Sequence, residues 1–197
     1  MLGYSGYRDT AIDIGWPHGN CTNHPQYCSE TLVENIVVYN NSISEFGFLD
    51  WANNYTGNSS KDSIGVYVHH NAHQTWILNN DIHLIDGDSI HLNAWGIDDD
   101  TQFPPRKTYI GYNKLHDSRE NALDSKVAYD TITSQNEIYN IAVAPGSDGS
   151  CVVVQTEHQT SKYPFQENHW ILYNDIHDCT GNGIRVQGVV QGAYIIG

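Results

Sequence analysis

Positive charge is scarce in this chain. Lysine and arginine together number 9 against 23 aspartates and glutamates, a formal net charge of −14 over 197 residues. That balance disfavours nucleic-acid phosphates and anionic membrane surfaces as partners, since neither meets a complementary field. An acidic polymer could bind only through a local basic site or a bound cation. No apolar run reaches the roughly 18 residues that a spanning helix needs, so no membrane span is expected. The opening MLGYSGYRDT has neither a basic segment nor a long apolar one, and no secretory signal is visible there. Charged residues of both signs make up only 16% of the chain, while Asn, Gly, Tyr, Ile and Val are common. That composition favours a turn-rich β fold over helices. The length suits one domain with one sizeable core.

Cysteine is limited to Cys21, Cys28, Cys151 and Cys179. The loop CTNHPQYC makes a Cys21–Cys28 bridge the expected disulfide if the protein is exported. Four free thiols are the alternative. A zinc site from Cys21, His24 and Cys28 lacks a fourth ligand.

What the chain does have is a repeat. IVVYNNSI (36–43), TWILNNDI (75–82), TYIGYNKL (108–115), TITSQNEI (131–138) and HWILYNDI (169–176) share β-forming residues, then Asn, then any residue, then Ile or Leu. The anchors Asn41, Asn80, Asn113, Asn136 and Asn174 are spaced 39, 33, 23 and 38 residues apart. The shortest step is one unit, and the longer ones are the same unit with inserted loops. His91 and Asp124 each fall 11 residues after an anchor. A unit of about 20–25 residues built of short strands is the signature of a parallel β-solenoid. Coils stacked about 4.8 Å apart pair their strands and share one core. At the same corner of every coil, the anchor amide can donate and accept along the stack, and Asn tolerates the left-handed conformation of a sharp turn.

These segments, with ENALDSK (120–126), resemble the repeats of right-handed parallel β-helix proteins. That group includes pectate, alginate and chondroitin lyases, alginate epimerases and phage tailspikes. The resemblance implies an all-β, right-handed parallel β-helix of about six coils with inserted loops. It covers roughly residues 8–197.

The repeat allows one strand per coil to be superposed: TAIDIG (10–15), IGVYVHH (64–70), DSIHLNA (88–94), NALDSKV (121–127), CVVVQTE (151–157) and GIRVQG (183–188). Alternation points Ile12, Ile14, Val66, Val68, Ile90, Leu92, Leu123, Ser125, Val152, Val154, Ile184 and Val186 inward. Pointing outward, one column reads Asp13, Tyr67, His91, Asp124, Val153, Arg185. The next reads Gly15, His69, Asn93, Lys126, Gln155, Gln187, and Glu157 extends a third. Asp124 and Lys126 are therefore expected side by side and unburied on the outer face of a rigid sheet.

Such a face could be a solvated polar ladder or a groove for a polymer. Cleavage of an acidic polysaccharide by β-elimination needs a base for the proton beside the uronate carboxyl, a cation for that carboxylate, and a donor for the leaving oxygen. ENALDSK is similar to the lysine-bearing strand of alginate and chondroitin B lyases. That similarity implies Lys126 as base and Glu120 as a calcium ligand, with Asp86 and Asp88 in the coil before it. Where those lyases carry an arginine in the next coil, this chain has Gln155. Asp124, His91 and Arg185 are the supporting catalytic groups. Tyr67, His69, Asn93, Gln155, Glu157 and Gln187 would bind substrate. A hydrolase would instead pair Asp124 with Glu157 or Asp88.

Elsewhere, GIDDDTQFPPRK (96–107) reads as a loop walling the groove, solvated or binding calcium through Asp98, Asp99 and Asp100. VAPGSDGS (143–150) lacks a P-loop lysine and reads as a turn. Asn20, Asn40, Asn54 and Asn58 open Asn-x-Ser/Thr sequons. Trp51, Tyr55, Trp95 and Tyr163 would stack on sugars or pack loops. Both chain ends fall mid-coil, so the chain reads as an excerpt of a longer solenoid or as a subunit that associates end to end. The functional expectation is an extracellular or cell-surface protein that binds or cleaves an acidic polysaccharide, with calcium as the cofactor the resemblance implies. The alternative is a non-catalytic β-helix: an adhesin, a tailspike-like segment or a filament subunit.

Overall fold

The chain winds through three strands per turn. The computed structural model describes residues 10–15, 32–47, 62–94, 103–142, 147, 149–156, 163–188 and 190–197. Coil one holds β1 (Thr10–Ile14), β2 (Val33–Tyr39) and β3 (Ser42–Phe46). Coil two holds β4 (Ile64–Val68), β5 (Ala72–Leu78) and β6 (Asp81–Ile85). Coil three holds β7 (Ile90–Asn93), β8 (Arg106–Gly111) and β9 (Lys114–His116). Coil four holds β10 (Asn121–Lys126), β11 (Tyr129–Ser134) and β12 (Glu137–Ile141). Coil five holds β13 (Ser150–Gln155), β14 (Gln166–Leu172) and β15 (Asp175–Cys179). The last holds β16 (Ile184–Gln187) and β17 (Val190–Ile196). Every strand pairs in parallel with its counterpart one coil away. This gives sheet A (β1-β4-β7-β10-β13-β16), sheet B (β2-β5-β8-β11-β14-β17) and sheet C (β3-β6-β9-β12-β15). The fold is a right-handed parallel β-helix, as the repeat predicts.

The register of sheet A is the one that alternation assigns. Ile12 pairs with Val66 and Asp13 with Tyr67; Tyr67 pairs with His91, His91 with Asp124, Asp124 with Val153 and Val153 with Arg185. One core runs along the axis. Sheet A gives it Val66, Val68, Ile90, Leu92, Leu123 and Val152; sheets B and C add Ile77, Ile110, Ile82, Leu115 and Ile138. β-Branched residues fill most of these places because a pleated, half-buried surface suits them.

Each passage from sheet B to sheet C is a two-residue corner, and the anchor asparagine is its second residue. Asn41 Nδ2 donates to Asn80 Oδ1, Asn80 to Asn113, Asn113 to Asn136, and Asn136 to Asn174, each at 2.9 Å. The second amide hydrogen reaches a backbone carbonyl one coil back: Asn80 to Val38, Asn113 to Ile77, Asn136 to Ile110 and Asn174 to Thr133. The expectation that the anchor itself takes the left-handed conformation is corrected. The residue before it does: Asn40, Asn79, Tyr112, Gln135 and Tyr173 have φ between 53° and 58°. The anchor cannot take that role because its amide must point along the stack.

Cys151 and Cys179 form a disulfide with Cα atoms 5.7 Å apart, joining β13 to the end of β15 within coil five. The sequence did not reveal this pairing, because coil closure brings together residues that lie in different strands. Cys21, His24, Cys28, Glu157, Asp98, Asp99, Asp100, Trp51, Tyr55, Trp95 and the sequons at Asn20, Asn54 and Asn58 lie outside the described residues. Asn40 sits exposed at its corner, where its Oδ1 accepts from Asn79 Nδ2 at 3.0 Å.

Candidate functional site

The outward side of sheet A gathers the ionisable groups. Residues 15–32, 94–105 and 156–165 connect sheet A to sheet B, and residues 47–63 and 142–149 connect sheet C back to sheet A. All of these long connections begin or end at a strand of sheet A, whereas no sheet B to sheet C corner is lengthened. The asparagine stack explains the difference: an insertion there would break the amide register, while the flanks of sheet A carry no such constraint.

His91 stands at the centre of the face. Its Nδ1 lies 2.5 Å from Asp88 Oδ2, and its Nε2 lies 3.1 Å from Asn93 Nδ2. Asp88 accepts from the ring and Asn93 donates to it, which assigns the proton to Nδ1. Asn121 Nδ2 donates to the other Asp88 oxygen at 2.9 Å and fixes that carboxylate. Tyr67 packs edge-on against His91 with ring centroids 5.0 Å apart, and it lies over His69 at 3.4 Å. His69 Nε2 is 3.2 Å from Asp13 Oδ1.

One coil on, Lys126 Nζ lies 3.3 Å from Asp124 Oδ2. Gln155 links this pair to the next coil: its Nε2 donates to Asp124 Oδ1 at 3.3 Å, and its Oε1 accepts from Arg185 at 3.3 Å. Behind Lys126, Ser125 is a polar residue at an inward position of this strand. Its hydroxyl donates to Gln166 Oε1 at 2.8 Å, and Gln166 also takes the backbone N–H of Ala128. Gln166 thereby pins the corner that carries Lys126.

The expectation of an unburied Asp124–Lys126 pair is corrected. Asp124 is 2% exposed, Lys126 8% and His91 0%. Alternation fixes which way a side chain points from the coil, not whether solvent reaches it. Burial eases toward the last coil, where Gln155 and Arg185 are half-buried and Gln187 is exposed. Burial first, and then the Asp88 charge, push the Asp124 carboxyl up to about 6, against His91 and Lys126. Glu120 is pushed up to about 10 by burial, then by the Asp88 charge and a hydrogen bond with Asp62, with Arg119 opposing.

Asp86 is not part of this face. Its Oδ1 forms an ion pair with Arg119 Nε at 3.0 Å, and Arg119 also reaches Glu120 at 3.3 Å. Arg119 was not singled out by the sequence, and no local pattern marks it. Asp88, His91 and Asp124 offer ligand atoms within 4.8 Å of one another. Oδ1 of Asn93 and Oδ1 of Asn121 are buried beside them without a hydrogen-bond partner. Two carboxylates with two orphaned amide oxygens fit a hard, oxygen-seeking cation. Tyr163 packs against Tyr129, with centroids 6.1 Å apart, and against Ala94 and Val127.

Comparison with protein-family models, curated proteins and solved structures returns no match. The β-helix rests on this chain's own repeat and strand pairing, and no match supports the resemblance of ENALDSK to polysaccharide-lyase strands.

Proposed function

We propose that the chain is a carbohydrate-active β-helix that binds an acidic polysaccharide along sheet A and cleaves it by β-elimination. The observation that carries this reading is the Asp88–His91 pair standing beside the Asp124–Lys126 pair on one rigid face. Rigid strands hold such groups more accurately than loops do. Lys126 is engaged by the Asp124 carboxylate, so the base passes from Lys126 to His91. Asp88 orients the imidazole through Nδ1, and Nε2 takes the proton beside the uronate carboxyl once bound substrate displaces the Asn93 amide from it. Lys126 supplies positive charge to that carboxylate, and Arg185 and Gln187 bind the chain further along. The C–H electron pair forms the new C=C bond, the C–O bond to the departing sugar breaks, and Tyr67 donates its hydroxyl proton to the leaving oxygen. Calcium, held by Asp88, Asp124, Asn93 and Asn121, would add charge that makes the abstracted proton more acidic. The Cys151–Cys179 bridge supports an extracellular or cell-surface setting, where disulfides persist.

Turnover is read as the ultraviolet absorbance of an unsaturated uronate product, over a panel of acidic polysaccharides with and without calcium. His91→Ala is expected to lower the rate about 10²–10⁴-fold. Lys126→Ala is expected to lower it about 10²–10³-fold by removing charge stabilisation. Full activity in His91→Ala would overturn its role as base.

The near-complete burial of Asp88, His91 and Asp124 favours a second reading. In it the cluster is a polar staple within a non-catalytic structural β-helix, of the adhesin, tailspike or filament kind. Absence of product from every polymer, together with loss of stability in His91→Ala, selects that reading.

A further inference from the structure

Sheet C turns a second set of groups outward, away from sheet A. His83, His116, Tyr139 and His177 occupy one register column in successive coils. Their rings stack with centroids 4.8, 4.7 and 5.2 Å apart and interplanar angles of 4°, 2° and 1°. At one end of this ladder, Asp81 Oδ1 lies 3.1 Å from His83 Nδ1 and 3.0 Å from His116 Nε2. Asp81, His83 and His116 present ligand atoms that all lie within 4.8 Å of one another.

Two neighbours prepare these groups as ligands. His116 Nδ1 lies 2.6 Å from Asp117 Oδ2. A carboxylate that accepts the hydrogen bond of Nδ1–H turns the Nε2 lone pair toward the cluster, the arrangement that orients and strengthens metal-binding histidines. Lys114 stands in register with Asp81, but its ammonium is engaged by Glu137 at 2.9 Å. The side chain of Asp81 is 48% exposed and that of His116 14%, so an ion can arrive from solvent.

We propose that Asp81, His83 and His116 bind a divalent transition-metal ion of the zinc type, with Asp117 as a positioning residue and the remaining coordination positions open to water. Two imidazole nitrogens with one carboxylate suit such an ion and not calcium, which takes oxygen ligands. The site is separate from the oxygen-rich cluster on sheet A and does not depend on the carbohydrate reading. Each ring nitrogen coordinates in its own ring plane, so ion capture turns His83 out of its parallel stack on His116.

The test is calorimetric titration of chelator-treated protein with zinc, with cobalt absorption spectra as a second readout of coordination. One zinc ion is expected on the wild-type chain at the sheet C site, with a rise in melting temperature. His83→Ala/His116→Ala is expected to lose that ion and the rise, while Asp124→Asn on sheet A keeps both. Asp117→Asn is expected to weaken binding about 10–100-fold. Circular dichroism checks folding, and the single His83→Gln variant serves if the double variant unfolds. A wild-type chain that binds no zinc, or a folded His83 variant with unchanged stoichiometry and affinity, overturns the proposal.

Discussion

Glu120 and Asp124 lie close to Asp88 at sheet A, and for both of them the protonated form is the less costly one. Glu120 moves from 4.5 to about 10 and Asp124 from 3.8 to about 6. Both folded values lie above the unfolded ones. The stability these groups contribute is full below the unfolded pKa and is lost as pH rises through the folded pKa. His169 has the opposite sign. Burial lowers it from 6.5 to about 4, against its hydrogen bond to the Ala128 carbonyl, so its contribution is present above 6.5 and is lost as pH falls toward 4. Above pH 6.5 only Glu120 of these three still changes its proton. Thermal melts from pH 6.5 to 10 should therefore show wild-type stability falling, at most by about 1.4 kcal/mol per pH unit. Glu120→Gln should flatten that slope and so be more stable than wild type already at pH 6.5, the two proteins converging only below about pH 4.5. Parallel slopes in the two proteins would mean that Glu120 ionises freely. The sequence names Glu120 as a ligand candidate, but its protonation depends on Asp62 and Asp88, which the fold alone brings near.

Among the elements, the two-residue corner sets the register of the whole stack. Asn113 Oδ1 accepts from both the backbone N–H and the Nδ2 of Asn80, while its own Nδ2 donates to Ile77 and Asn136. Asn113→Ala strands those partners in a dry interior, and unsatisfied buried groups cost about 1–3 kcal/mol each. A loss of about 4 kcal/mol in urea unfolding is expected. Asn41→Ala, at the exposed start of the ladder, should cost less; equal losses would argue against an additive stack. The ladder was legible in the sequence because Asn recurs at one place in a local pattern. So was the register of sheet A, since a slip of one residue would have turned Asp124 and Lys126 inward and exposed Leu123. The left-handed residue before each anchor was not legible. It is Asn, Asn, Tyr, Gln and Tyr in turn, residue types with no shared backbone preference. Burial of the outward face was equally hidden, because alternation carries direction and not depth.

Over the whole molecule, each coil touches only its neighbours, and stability is close to a sum of coil and interface contributions. The Cys151–Cys179 bridge spans 28 residues and closes coil five on itself. Chain-entropy arguments assign a loop of this size about 3.5 kcal/mol. Cys151→Ala/Cys179→Ala should speed amide hydrogen exchange in β13, β14 and β15 and leave β4 to β8 near wild-type protection. Uniform loss along the chain would show one cooperative unit instead. The sequence could not supply this pairing, since its two cysteines share no motif. The asparagine stack has a consequence for how such a chain can change over generations. Each internal anchor, Asn80, Asn113 and Asn136, donates to the amide of the next coil and accepts from the amide of the coil before, so the seam above such a coil matches the seam below it. Copying or deleting the 23 residues 113–135 rejoins a donor to an acceptor of the same kind. Duplication and excision of whole coils thus leave the joint chemically unaltered, and the molecule can be lengthened or shortened like a spliced rope.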